Sequence, residues 1–111
     1  MEITQSKKDG VMVFEIMGRL DAVTATEAEE ILLNLPEEEN VAMLINLEKL
    51  EYVSSAGLRV LLMVAKKIQG IGGKVALSNL SELVKEVFDI SGFSSIFMIV
   101  DNEEDGLKQL Q

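Results

Sequence analysis

The sequence predicts an α/β domain: a mixed, mostly parallel β-sheet with helices packed mainly on one side. Three features predict it. Short apolar runs alternate with segments that are apolar at helical spacing, a pattern that calls for right-handed crossovers and parallel strands. Residues 41–47 (VAMLINL) are almost wholly apolar, which suits a central strand buried on both faces. An Asp9-Gly10 pair precedes an alternating run, the signature of an N-terminal hairpin that makes the sheet mixed.

The elements follow in order. Residues 2–6 form a short strand, Lys8-Asp9-Gly10 turns the chain, and residues 11–17 form the second strand. Val11, Val13, Glu15 and Met17 lie on one face of that strand, and Met12, Phe14 and Ile16 on the other,. Thr24 or Thr26 opens the first helix, whose stripe is Ala25, Ala28, Ile31, Leu32 and Leu35,. Pro36 forbids its continuation, and Glu37 to Glu39 form a solvated acidic turn. After the strand at 41–47, residues 48–53 read as a loop and 58–69 as a helix apolar almost all round, hence well buried. Gly70 and Gly72-Gly73 end it, and residues 74–77 form a strand,. Ser78 or Asn79 caps a third helix with the stripe Leu80, Leu83, Val84, Val87 and Phe88,. Gly92 stops that helix, residues 96–100 form the last strand, and 102–111 form a short helix with Leu107 and Leu110 inward.

Composition narrows the function. The 111 residues suit one domain spanning 1–111,. There is no cysteine and no histidine. That removes disulfides, thiolate nucleophiles, Cys/His metal sites and any Ser-His-Asp machinery. A serine hydrolase built on Ser54 or Ser55 would lack both a histidine base and the G-x-S-x-G elbow, so the chain is expected to be no enzyme. The net charge of -9 opposes contact with nucleic-acid phosphates and with anionic membranes. A basic partner protein would be steered toward it, though acidity also simply keeps a small protein soluble. Met1 to Asp9 is polar and no apolar run approaches the ~20 residues of a membrane span, so neither a leader nor a span is expected.

The chemistry concentrates at Ser54-Ser55-Ala56-Gly57, where a buried strand and loop run into the buried helix. Two readings stand side by side. Serine is a preferred helix N-cap, so one hydroxyl caps and the other lies in a loop. Alternatively, a phosphate added there would meet free helix amides and the positive end of the helix dipole, at the sheet edge where open α/β folds place their ligands.

Four segments in order resemble the STAS domain family, and the anti-sigma factor antagonists in particular. They are Gly18-Arg19-Leu20-Asp21-Ala22, Leu44-Ile45-Asn46-Leu47 with Leu50, residues 53–62 (VSSAGLRVLL), and residues 87–93 (VFDISGF). The resemblance spans essentially the whole chain. It implies the STAS fold, a cytoplasmic binding module without cofactor or metal, and a serine switch two residues before the loop glycine, here Ser55 before Gly57. In such antagonists the unphosphorylated form binds an anti-sigma factor, itself a serine kinase. Phosphorylation weakens that binding and a phosphoserine phosphatase restores it. The alternative is a non-switching STAS scaffold or adaptor, in a stress-signalling or lipid-transport assembly, with Ser55 only a cap. The family usually has D-S-x-G; here Ser54 replaces the aspartate, which leaves Ser54 as an alternative acceptor.

The same resemblance gives the partner-facing set as Asp21, Ser54, Ser55, Ala56, Gly57 and Arg59. Asp21 is equally readable as a turn residue. Arg59 meets a partner carboxylate, pairs with a phosphoserine one turn back, or is merely solvated. Glu48 and Glu51 flank the loop and read as wet. Gly70-Ile71-Gly72-Gly73-Lys74 is no phosphate loop, because Val75 follows and the context is helix to strand,. The methionines fill core, and the acidic runs lack calcium-loop spacing.

Overall fold

The computed structural model describes residues 1–34 and 41–111. The expected turn at Pro36 and Glu37 to Glu39, and Leu35 of the first stripe, lie outside the described residues. Strands are β1 (Glu2–Lys8), β2 (Val11–Leu20), β3 (Ala42–Asn46), β4 (Leu50–Val53), β5 (Lys74–Ser78) and β6 (Met98–Val100). Helices are α1 (Ala25–Leu33), α2 (Ser55–Gly70), α3 (Glu82–Ser91) and α4 (Glu103–Leu110), with a 3-10 turn at Phe93–Ser95.

The hairpin forms as its turn residues require. Lys8 pairs with Val11, and Asp9 and Gly10 both take positive φ, 52° and 80°, the geometry of a two-residue turn that matches strand twist. From β2 onward every strand pair is parallel, in the order β1-β2-β3-β5-β6. β3 is buried on both faces, as its apolar run demands. Met43 and Ile45 join the large core beneath α1, α2 and α3, with Phe14, Ile16, Leu61, Val64, Val84 and Phe88. Leu44 points the other way, to a smaller core with Val11, Val13, Ala76 and Leu110 of α4. Helices thus pack mainly on one side, with α4 alone on the other.

Four expectations are corrected. Residues 48–53 are not all loop, because 50–53 form β4. At Gly18, whose φ is 91°, β2 changes parallel partner, and its register with β4 shifts by one residue between Gly18 and Arg19. Before it β2 pairs with β3, and after it Gly18–Leu20 pairs with Leu50–Val53. One strand thus serves two parallel neighbours, and the irregularity lies in β4, where Glu51 is the extra, unpaired residue,. Secondly, α3 is capped by Ser81, whose Oγ accepts from the Val84 amide at 3.2 Å, and not by Ser78 or Asn79. Ser78 ends β5 fully buried, and Asn79 sits at φ 59°, a left-handed residue that turns the chain before the helix begins. Thirdly, Leu83 leaves the stripe: it is 59% exposed, while Val84 and Phe88 are buried. The last strand also starts at Met98 and not at Ile96, because the Ile96 and Phe97 amides both turn back to the Phe93 carbonyl, at 3.0 and 3.2 Å.

Candidate functional site

Parallel pairing assembles the site. Leu20 is in register with Val53, and the Ser54 amide donates to the Leu20 carbonyl at 2.9 Å. Asp21 and Ser54 therefore leave the carboxyl edge of the sheet side by side. α2 starts at Ser55, three residues before the expected Leu58, because Ser54 is its N-cap. The Ser54 Oγ accepts from the Gly57 amide at 3.2 Å, and the Leu58 amide donates to the Ser54 carbonyl at 2.9 Å. The two serines thus divide the roles that the sequence left open. Ser54 is half-buried and committed to the cap, while Ser55 is exposed on the first helical residue. Among the described residues the Ser55 hydroxyl has no hydrogen-bond partner.

Gly57 brings these parts together. A Cβ on it would stand 2.6 Å from the Leu20 carbonyl oxygen, 2.9 Å from Leu20 Cγ and 3.0 Å from Val53 Cγ2. Only a residue without a side chain lets the first turn of α2 lie flush on the ends of β2 and β4. The electrostatics of this turn are distinctive. α1, α3 and α4 each carry an acidic residue in the first turn, and α2 has none. The positive end of its dipole is unmatched by any side-chain anion of its own turn.

Asp21 is a turn residue by its contacts. Its Oδ1 accepts from the Val23 amide at 3.0 Å and the Thr24 amide at 3.3 Å. Thr24 Oγ1 in turn accepts from the Asp21 amide at 3.0 Å and donates to the Arg19 carbonyl at 3.1 Å. Thr24, and not Thr26, is the residue preceding α1. Arg19 Nε lies 3.6 Å from Asp21 Oδ2, and its guanidinium stacks 4.3 Å over the Tyr52 ring,. Partial burial works to raise the Asp21 pKa. The Thr24 and Val23 amides, the Thr24 hydroxyl and the Arg19 charge outweigh it and hold the carboxyl below its ordinary value. A depressed carboxylate stabilises the fold above its unfolded pKa, and that contribution is lost as pH falls through the folded pKa. Urea midpoints followed from about pH 6 to about pH 2 will show wild type ahead of Asp21→Asn at the upper end, with the gap closing as pH falls. A gap independent of pH would refute the charge's part in the turn.

A groove of about 320 Å³ adjoins the serine, lined by Ser55, Leu58, Arg59, Leu62, Ser91 and Phe93. Arg59 is exposed and lies one turn along α2 from Ser55, on the same face. Ala56 is half-buried. Sequence reasoning singled out neither Ser91 nor Phe93 as a site residue. Ser91 ends α3 and Phe93 opens the 3-10 turn after it; their only signal in the sequence is membership of the fourth resembling segment. Glu48 and Glu51 are both exposed, and neither lines this groove. Among the described residues no cluster of acidic side chains could hold a metal ion, and no helix is long and apolar enough to cross a membrane.

Comparison with known proteins agrees with this fold. Residues 2–106 match the family model described as STAS domain. The protein BtrV of Bordetella bronchiseptica is 36% identical over 104 residues, covering 94% of this chain and 90% of its own. The anti-sigma-B factor antagonist of Bacillus subtilis is 31% identical over 108 residues, covering 97% and 96%. The structure of an anti-sigma-factor antagonist (STAS) domain protein from Planctomyces limnophilus superimposes with a TM-score of 0.88 at 19% identity, over 98% of this chain and 97% of that one. On the match along nearly all of its length, the chain belongs to the STAS domain family.

Proposed function

We propose that this protein is a cytoplasmic anti-sigma factor antagonist switched by phosphorylation at Ser55, and not an enzyme. In its unmodified form it binds an anti-sigma factor that is also a serine kinase. The kinase transfers the γ-phosphoryl group of ATP to the Ser55 oxygen; ADP leaves and the hydroxyl proton passes to a base on the kinase. The new group carries about -1.5 to -2 charge near neutral pH, and the partner is released. A phosphoserine phosphatase hydrolyses the ester and resets the switch.

The observation that carries this reading is the exposed, uncommitted Ser55 hydroxyl at the carboxyl edge of the sheet, beside a half-buried Ser54 already spent on the cap. The departure from D-S-x-G is mild in these terms. Aspartate and serine are comparable N-caps, so Ser54 keeps the local geometry and removes only a charge. Asp21, Ser54, Ala56, Gly57 and Arg59 complete the face offered to the partner. The relatives named as anti-sigma factor antagonists support the same class of partner.

Incubation with the cognate kinase and ATP tests the reading. Mass spectrometry is expected to find one added phosphate on wild type and on Ser54→Ala, and none on Ser55→Ala. In pull-downs Ser55→Asp will lose the kinase that wild type retains. Modification of Ser55→Ala at the wild-type rate would move the acceptor to Ser54, whereas an unmodified wild type, or full binding by Ser55→Asp, would leave a non-switching adaptor as the better account.

A further inference from the structure

Resting on the assignment of Ser55 as phosphoacceptor, we propose that Arg59 closes on the Ser55 phosphate, so that phosphorylation withdraws a cation from the docking face while adding an anion to it. Ser55 and Arg59 are both exposed on α2 and line one groove. Residues four apart on a helix are neighbours, with Cβ atoms about 5–6 Å apart. Helical side chains lean toward the helix N-terminus, so the Arg59 stem runs back over the turn that carries Ser55. An anion placed N-terminal to a cation at this spacing is the favourable orientation.

Arg59 is also free to make the contact. The chain has 19 acidic residues against 10 basic ones, and Lys8, Arg19, Lys49 and Lys108 are each paired with a carboxylate. Among the described residues Arg59 has no such partner. Nor does the helix gain from it, since a cation near the N-terminus opposes the dipole. Leu58, Leu62 and Phe93 share the groove with Arg59 and offer apolar surface to an arginine stem, and the guanidinium fork matches two phosphate oxygens at once. Before modification Arg59 faces an incoming carboxylate. Afterwards it is occupied, and the partner meets a phosphate where it had met a guanidinium.

The test uses full-length protein carrying genetically encoded phosphoserine at position 55, so that the phosphate is present whatever any kinase does. Phosphorus NMR follows its second ionisation against pH in the protein that retains Arg59, in Arg59→Ala and in Arg59→Lys. Arg59 is exposed, so these variants fold. The phosphate ionises near pH 6 in isolation. Its midpoint is expected to rise by about half a pH unit in Arg59→Ala, the size of an exposed ion pair, and by less in Arg59→Lys. Superimposable titrations of the Arg59 protein and the Arg59→Ala variant would overturn the pairing. Failure of a kinase to modify Ser55 would instead overturn the proposed function, so the two failures are told apart.

Discussion

Gly57→Ala will destabilise the protein by about 2 kcal/mol, lowering Tm by roughly 10 °C for a chain of this size. Ordinarily alanine is worth about 1 kcal/mol more than glycine inside a helix, so the sign is a strong test of the geometry. The new methyl would sit 2.6 Å from the Leu20 carbonyl oxygen. That oxygen is backbone and already accepts the Ser54 amide, so it cannot retreat without opening the pairing of β2 with β4. The first turn of α2 must lift instead, taking the Ser54 cap and Ser55 with it. A urea midpoint that falls with an unchanged slope reports the loss of stability, and slower phosphorylation of Ser55 reports the displacement. A midpoint at or above wild type would refute the close approach.

Phe88→Ala will cost about 3–5 kcal/mol, a large part of the roughly 5–15 kcal/mol that holds a typical domain together. The ring is fully buried and meets Phe97 edge-on with centroids 5.7 Å apart,. Phe97 in turn lies 6.2 Å from Phe93, which lines the groove beside Ser55. Removing Phe88 therefore loosens the wall of the site as well as the core. Leu83→Ala, in the same helix and the same apparent stripe, will change stability by no more than about 0.5 kcal/mol, since Leu83 is largely exposed,. Equal costs for the two substitutions would restore the wider stripe that the spacing suggests.

That contrast marks where the sequence was legible and where it was not. Asp9-Gly10 and the apolar run through Leu44 and Ile45 announce their structures because the turn chemistry and two-sided burial are local properties. β4 does not, because nothing in Leu50 to Val53 says that Gly18 to Leu20, far off in the chain, will pair with it. The Ser81 cap is hidden for a similar reason: Ser78, Asn79 and Ser81 are all capable residues, and only the left-handed turn at Asn79 selects among them. At the site, residue chemistry left Ser54 and Ser55 equivalent, and the resemblance to a family distinguished them. The structure supplies a physical difference, one hydroxyl spent and the other exposed. Ser91 and Phe93 enter the groove only through tertiary packing, which no spacing rule encodes.

β2 begins at the hairpin turn and ends beside Ser54, so its ten residues, at about 3.3 Å each, hold the two apart by a distance comparable to the molecule's longest extent of 31 Å. A label, a linker or a solid support attached at Asp9-Gly10 leaves Ser55 facing outward. Copies joined through that end would form a cluster whose serines all point away from the point of attachment.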